Sequence, residues 1–587
     1  MTVEAPSARH LGIPYKWIAL SNTTLGVLMA SINGTILIIS LPAIFRGIQV
    51  NPLDPSQTSL LLWVMLSFNV ATTILLVTFG RISDSYGRVR LYNAGFAVFT
   101  LGSILCSIVP GLGTAGELEL IAFRFLQGIG GAFLFANSSA ILTDAFPSTE
   151  RGLALGLNQI AAIAGGILGL ILGGVLSAVD WRLVFLVNVP IGLLGTIWAY
   201  VALREQVTAR EPARLDLLGN LTFGLGMLGI LGGLTTGIIP WGGHAMGWGN
   251  PLVRVATVAG VMLLAVFLWV EGRVERPLLD LRLFRIRAFA TGNVAALLAS
   301  VARGGLQFMI IIWLQGVWLP LHGVAYIHTP LQAGIDTIPQ MVGFLLSGPL
   351  SGRLSDRIGA RALGFVGMLV TAVGFVLLSL LPVDFAYWQF AVYLFVIGAG
   401  MGIFASPNAA AVMSSVPTLY RGAASGTLAT FQNAGMLMSM GLFFTIVITG
   451  MSARLPGALS TGLGAFHLPG PLVHGLSALP PTATLFAALL GYNPMAHLIP
   501  AAVLHAMPAA ERSVLVGERF FPQLIGGTFM FALREVFLFA TAVSLVAGVA
   551  SLLRGGRYVS VATDLGEARQ GAAADPVDDG EPARAGV

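Results

Sequence analysis

Ionisable side chains inside apolar runs are the first candidates for chemistry in this chain. Glu535 and Arg534 fall in the last long apolar run, Arg303 is central in an earlier one, and Arg124 lies a few residues inside another. At such depth a charged group faces protein or a wet cavity, and by default marks an ion or substrate path. Burial favours the uncharged form of a carboxyl, the property a proton carrier needs, which makes Glu535 the candidate for proton transfer. Arg303 is either its partner or an attractor for an anionic substrate group, and a structural buried ion pair is the plain alternative. Adjacent helix residues point about 100° apart, so Arg534 need not pair with Glu535. Arg124 is shallow enough for its guanidinium to snorkel to the surface. Asn33, Asn69, Asn137, Gln159, Gln307, Gln432 and Asn433 either line a cavity or bond across helices.

These groups sit in a chain of 587 residues with 56% hydrophobic and 10% charged residues and a mean hydropathy of +0.85, whose solvent is mostly lipid. The net charge of +5 would suit nucleic acid in a soluble protein. Here the arginines lie in short turns between apolar runs and act as topology markers instead. Cys106 is the only cysteine, which excludes disulfides and thiolate metal sites within one chain. The eight histidines lack metal-ligand spacing, no phosphate-binding Gly-x-x-x-x-Gly-Lys-Ser/Thr occurs, and no cofactor is expected. No catalytic cluster of His, Asp or Ser converges, so an enzyme is not expected, although a polytopic lipid-modifying enzyme or a non-transporting receptor stays open.

At roughly 20 apolar residues per crossing, spans fall near 17–45, 60–80, 91–110, 119–143, 154–178, 183–203, 216–239, 252–271, 289–317, 332–351, 362–382, 387–413, 424–450 and 526–553. The first is too long for a signal-peptide core and should stay as an anchor. Fourteen spans put both termini on one side. Lys16, Arg88, Arg90, Arg151, Arg204, Arg273, Arg285, Arg353, Arg361 and Arg421 mark that side as cytoplasmic. The long connection 451–525 then lies outside; its apolar piece 483–506 is broken by Gly491, Asn493, Pro494 and Pro500, and is expected as an external cap or interfacial helix. Residues 554–587 should form a disordered tail.

One phrase occurs twice, as Gly80-Arg81-Ile82-Ser83-Asp84-Ser85-Tyr86-Gly87-Arg88 and as Gly352-Arg353-Leu354-Ser355-Asp356-Arg357-Ile358-Gly359, each between two apolar runs. Equivalent positions in two six-helix halves leave 216–239 and 252–271 as extra helices. The expected organisation is a cytoplasmic N-terminus 1–16, a bundle over 17–203, linker helices over 216–271 and a second bundle over 289–553. Asp84 is expected where a helix begins after the turn, a carboxylate position worth roughly 0.3–1 kcal/mol. Arg88 can reach Asp144. Gly165, Gly166, Gly169, Gly173 and Gly174 strip one helix face of bulk and permit tight contact.

With Gly80, Asp84, Gly87 and Arg88 matching its Gly-x-x-x-Asp-x-x-Gly-Arg loop, and Gly352, Asp356 and Gly359 a second copy, the chain resembles the major facilitator superfamily. Arg124, Gln127, Gly128 and Gly130 look like its fourth-helix motif, and Gly165, Gly169, Gly173 and Gly174 like its antiporter motif. Trp181-Arg182 with Asn188-Val189-Pro190-Ile191-Gly192, and Pro277-Leu278-Leu279-Asp280-Leu281, point to the fourteen-helix drug:proton antiporter branch. Asn33 stands where the branch usually has aspartate, and Leu170 where it has proline.

The resemblance implies an all-α major facilitator fold (6+2+6). It also implies a cytoplasmic latch from the loop motif, proton transfer at Arg124, and α-helical glycines at the interface between halves. The implied function is efflux of a small lipophilic or amphipathic substrate by alternating access with proton influx, in the cytoplasmic membrane, with lipid but not nucleic acid as surroundings and a monomer as the default. A lipid or lipid-precursor exporter is the second transport reading. Because Asn33 cannot titrate, another group must carry any proton, which returns attention to Glu535.

Overall fold

The computed structural model describes residues 14–51, 53–147, 150–205, 216–242, 244, 246–274, 277, 279–416, 421–491 and 493–555. The tail from 556 onward, residues 1–13, and the side chains of Asp84 and Asp356 lie outside the described residues. In lipid, every backbone amide must bond within its own segment, and the apolar runs accordingly form long helices.

The first bundle comprises α1 (Tyr15–Gly47), α2 (Pro55–Tyr86), α3 (Arg88–Ser107), α4 (Gly113–Ala145), α5 (Arg151–Val179) and the pair α6 (Leu183–Leu186) and α7 (Asn188–Ala202). Two further helices follow, α8 (Leu217–Gly237) and α9 (Pro251–Glu271). The second bundle starts with α10 (Arg287–Gly304) and α11 (Leu306–Trp313), continued by a π-helical turn, Leu314–Trp318, and the short α12 (Leu319–Leu321). It goes on through α13 (Thr329–Asp336), α14 (Ile338–Ile358), α15 (Ala360–Ser379), α16 (Tyr387–Ser414) and α17 (Arg421–Gly464). A cap of short helices, α18 (Gly470–Ser477), α19 (Pro481–Leu489), α20 (Pro494–Leu498), α21 (Ala501–Ala506) and α22 (Ala509–Val516), precedes α23 (Phe520–Leu552). Helix occupies all fourteen expected stretches. Among the described residues, twelve helices are individually long and apolar enough to cross a bilayer, or thirteen if the bent pair α18–α19 is one span.

The two bundles share one packing plan. In the first, α1 packs on α5, α2 on α4, α3 on α4, and α7 on both α3 and α1; in the second, α10 packs on α17, α14 on α16, α15 on α16, and α23 on both α15 and α10. Even the close crossings repeat. A Cβ on Gly95 would lie 3.1 Å from the Gly130 carbonyl oxygen, and one on Gly367 would lie 2.7 Å from that of Gly400, so α3–α4 and α15–α16 each cross where two glycines let backbones touch. The α8–α9 pair packs against α2 and α17, and the Thr78 hydroxyl donates to Asn220 on α8.

The bundles meet at one end. At the end away from the Gly80–Arg88 turn, α13 seats on α5: Leu331 lies directly over Gly174, and Gly334 faces the Leu170 carbonyl. Gln315, in the π-helical turn, donates to the Ile39 carbonyl of α1 at 3.3 Å. At the motif end, Cβ atoms on Gly80 (α2), Gly156 (α5), Gly348 (α14) and Gly426 (α17) would meet nothing within 4 Å among the described residues. These four faces are open among the described residues.

Two sequence expectations are corrected. The connection expected over 451–525 is shorter, because α17 runs past Gly450 to Gly464 and α23 already begins at Phe520. The first part of the piece 483–506 is neither an external cap nor an interfacial helix: every residue of α19 is buried, Phe486 stacks on Phe444 with centroids 6.0 Å apart, and α19 touches α2, α11, α17 and the π-helical turn, whereas no residue of α21 is buried. The 84° bend between α18 and α19 sends α19 back into the protein as a plug between the two bundles. Nearby Tyr326, whose ring lies under Gly491, has its phenol raised by burial and by the neighbouring Glu518.

Candidate functional site

The loop motif forms a turn pinned by three helices. Gly87 has φ +103, a left-handed value that favours glycine, and its counterpart Gly359 has φ +93. Because the chain reverses at Gly87, Asp84 lies on the last turn of α2, not at the start of α3 as the sequence suggested. The carboxylate at the α3 N-terminus is instead Glu205, just after α7, whose two oxygens accept from the Arg88 and Val89 amides at 3.0 Å each. A Cβ on Gly87 would sit 2.8 Å from the Glu205 carboxylate, a contact that the flexible side chain can relieve, so it is the φ that calls for glycine here.

Arg88 Nη1 bonds Asp144 Oδ2 at 2.7 Å, joining α3 to the end of α4, while Lys16 pairs with Glu150 at 2.6 Å. Gly80 is not at a tight crossing here, since open space surrounds it. In the second copy, Gly352 faces the Ser406 hydroxyl of α16. Each partner of the Arg88–Asp144 pair is only 23% exposed, so the bond exceeds a fully solvated one yet is still screened. A double-mutant cycle with Arg88→Ala and Asp144→Ala should return a coupling of about 1 kcal/mol in thermal unfolding; additive losses would show that the contact contributes nothing.

Arg124 does not snorkel. It is 1% exposed, with Nε donating to the Val64 carbonyl of α2 at 3.0 Å and Nη1 to Asn33 Oδ1 at 3.4 Å and Gln127 Oε1 at 3.1 Å. Its guanidinium lies 5.2 Å from the Phe68 ring centre, and Gln127 passes the network on to Ser103 at 2.8 Å. The fold thus gathers Asn33, Arg124 and Gln127 from α1 and α4 into one buried polar knot. Amide oxygens take the place of the carboxylate that a buried guanidinium usually finds, and the Asn33 amide nitrogen has no partner.

The α5 glycines divide between two tasks. Gly165, Gly169 and Gly173 face α1, against the carbonyls of Leu28, Ile32 and Ile36, and the hydroxyls of Thr35 and Ser40 close the crossing by donating to Gly166 and Gly173 at 3.0 Å. Only Gly166, facing Met341, and Gly174, facing Leu331, reach the other bundle. The interface role expected for all of them is therefore narrowed to these two, because successive glycines four apart return to the same α1-facing side.

Glu535 and Arg303 are not partners. Glu535 lies half-buried beside Gly450 of α17, and Arg534 donates to the Leu381 carbonyl at 3.0 Å. Arg303, at the α10–α11 junction, keeps an exposed side chain. Four buried carboxyls escaped the sequence reading: Asp216 and Glu271, which cap α8 and the Leu279 amide, and Glu117 and Asp336. Glu117 is 0% exposed and neither oxygen has a partner; Asp336 is 3% exposed and accepts from Gln332 at 2.9 Å. Glu117 was hidden because α4 begins at Gly113, six residues before the expected start at 119, whereas Asp336 stood inside the expected span 332–351.

A sequence model of the Major Facilitator Superfamily matches residues 23–440. Among similar proteins, the riboflavin transporter RibZ of Clostridioides difficile is 29% identical over 435 residues, covering 73% of this chain and 87% of its own length. Multidrug resistance protein 3 of Bacillus subtilis is 27% identical over 438 residues (74% and 80%), and the puromycin resistance protein pur8 of Streptomyces alboniger 29% over 486 residues (82% and 88%). Of solved structures, a bacterial homologue of the human lysosomal transporter Spinster superposes with a TM-score of 0.54 at 16% identity over 92% of this chain and 97% of its own. A peptide transporter, POT, does so with 0.55 at 14% identity (82% and 96%). At such identities these structures speak for the fold alone. With the repeated bundles, the twin glycine turns and a match over most of its length, the chain belongs to the major facilitator superfamily, and its relatives named for drug resistance agree with the drug:proton antiporter branch.

Proposed function

We propose that this protein is a secondary active exporter of small lipophilic or amphipathic compounds, working by alternating access and driven by proton influx. The observation that carries this reading is the seam between two bundles of like packing, closed by α5, α13 and α19 at the end away from the Gly80–Arg88 turn. Two packed bodies joined at one end can rock to exchange the open end, which is what alternating access needs. The arginine-rich turns support a cytoplasmic motif end and an external plugged end, in the cytoplasmic membrane. The loop-motif residues, Arg88 with Asp144 above all, would then brace the cytoplasmic end when it closes. The scarcity of carboxylates near Arg124 and Arg303 favours a neutral or weakly anionic substrate over a purely cationic one. A lipid exporter is the second reading, favoured by the apolar plug and by Leu498, Val514 and Val516 exposed on the cap around it.

The test uses the purified chain in proteoliposomes holding a pH dye, with riboflavin and puromycin as probes. At least one should discharge an imposed proton gradient. Arg124→Gln, which removes the buried cation but keeps an amide beside Asn33 and Gln127, should slow that discharge by about tenfold, a barrier change of about 1.4 kcal/mol. Discharge by none of the probes, with none exchanging across the membrane, would sink the exporter reading.

A further inference from the structure

We propose that Glu117 is the proton-carrying carboxyl of this protein, exchanging its proton with the plugged side past Asp54; the proposal rests on the exporter reading and deepens it. Three observations converge. Glu117 is fully buried on the second turn of α4 and neither of its oxygens accepts a hydrogen bond. An ionised carboxylate in such a place would be costly, whereas the neutral acid is tolerated. The position also lies at the right end: α4 begins on the plugged side, the Gly113 amide bonds the Ile48 carbonyl at 2.6 Å, and half-buried Asp54 heads α2 on the same surface. Finally, Asn33 cannot titrate, and Glu117 lies seven residues, two turns, before Arg124 on the same face of α4, at the outer end of the polar knot.

The charged groups around it leave the site to these two carboxyls. Asp54 is near enough for its charge to act on Glu117. Arg46, at the end of α1, turns its Nε to the Pro42 carbonyl at 3.1 Å. Arg182 bonds the Val109 carbonyl at 3.3 Å and lies over Trp181, and Glu119 accepts from the Gly111 amide at 3.0 Å. Arg124 directs its guanidinium to Val64, Asn33 and Gln127. No described cation compensates Glu117. In the transport step, water on the plugged side gives one proton to the carboxylate, and the same proton leaves to water on the motif side after the bundles rock; no other bond is made or broken.

The experiment compares wild type, Glu117→Gln and Glu117→Asp. Glutamine mimics the neutral acid in size and charge, so the fold and the gradient-free exchange of riboflavin or puromycin should persist. Gradient discharge should fall by about a hundredfold, or about 2.8 kcal/mol, and return in part with aspartate. Independently of transport, the carbonyl stretching band of protonated carboxylic acids should be present in infrared spectra of the wild-type protein at neutral pH and should lose intensity in Glu117→Gln. Undiminished discharge in Glu117→Gln, or an unchanged infrared band, overturns the proposal. Exchange of the probes by wild type with no proton movement overturns it too, while leaving the exporter reading in place. A Glu117-dependent band in a protein that moves none of the probes supports the titratable site and rejects the exporter reading instead.

Discussion

Replacing Gly174 by tryptophan should force the plugged end open. In the structure the Leu331 backbone sits where even a single Cβ on Gly174 would fall, with a second contact to the Leu331 nitrogen at 2.7 Å. An indole cannot be accommodated without parting α5 from α13, since packed interiors yield little to added volume. Reversing a two-state balance from 99:1 to 1:99 takes about 5.5 kcal/mol, and backbone overlap by a large ring is of that order. Spin labels at Val179, 77% exposed at the end of α5, and at Ile327, 51% exposed just before α13, should move apart relative to the parent chain. The lone native cysteine, Cys106, is buried and should not interfere. Transport should fall by about a hundredfold, because one of the two arrangements becomes inaccessible. Gly165→Ala, against the Leu28 carbonyl of its own bundle, should instead destabilise the fold without separating the labels. An unchanged Val179–Ile327 distance in Gly174→Trp would show that the α5–α13 contact does not hold that end shut.

Excising the cap should have an effect of similar size by a different route. Phe466 and Phe520 bring the two stems of the insertion together, with ring centroids 5.1 Å apart, so residues 468–518 can be replaced by a short Gly/Ser linker without stretching the chain. The deletion removes α19, whose buried side chains fill the space beside Phe444, Gly316 and α2. A cysteine placed at position 444, where Phe444 is 1% exposed, should resist a membrane-impermeant maleimide in the full-length protein. In the deleted protein it should react at least about tenfold faster from the plugged side, since the population of accessible states governs such labelling. Continued protection after the deletion would mean that the cap is an ornament on an already sealed end.

The membrane class, the long helices, the internal duplication and the side carrying the charges were all legible in the residue order. Each follows from short-range rules: apolar runs of bilayer length, arginines in the turns between them, and a glycine phrase repeated between equivalent runs. The contact between Arg88 and Asp144 was legible too, since both had to lie at the same end of neighbouring helices. The capping carboxylate was not. Asp84 stood closest in sequence to the α3 amides, but Gly87 turned the chain after it, and Glu205, just past the end of the neighbouring α7, took that position.

Burial was the quantity that sequence could not supply. Arg124 could be surface-bound or enclosed on the evidence of its depth, and only the packing of α1 and α2 around α4 enclosed it with Asn33 and Gln127. Glu535 and Arg303 looked like possible partners because both are charges within apolar runs, yet their helices direct them to separate places. Hydropathy reports how far along the bilayer normal a residue sits. It does not report the direction in which the side chain points around the helix axis relative to its neighbours. The order of residues therefore determined that this chain is a doubled membrane bundle with its basic turns on one side. Tertiary structure alone decided which end of the seam is closed, what plugs it, and that an unpartnered carboxyl at Glu117 lies beneath that end, because contacts between helices remote in sequence set all three.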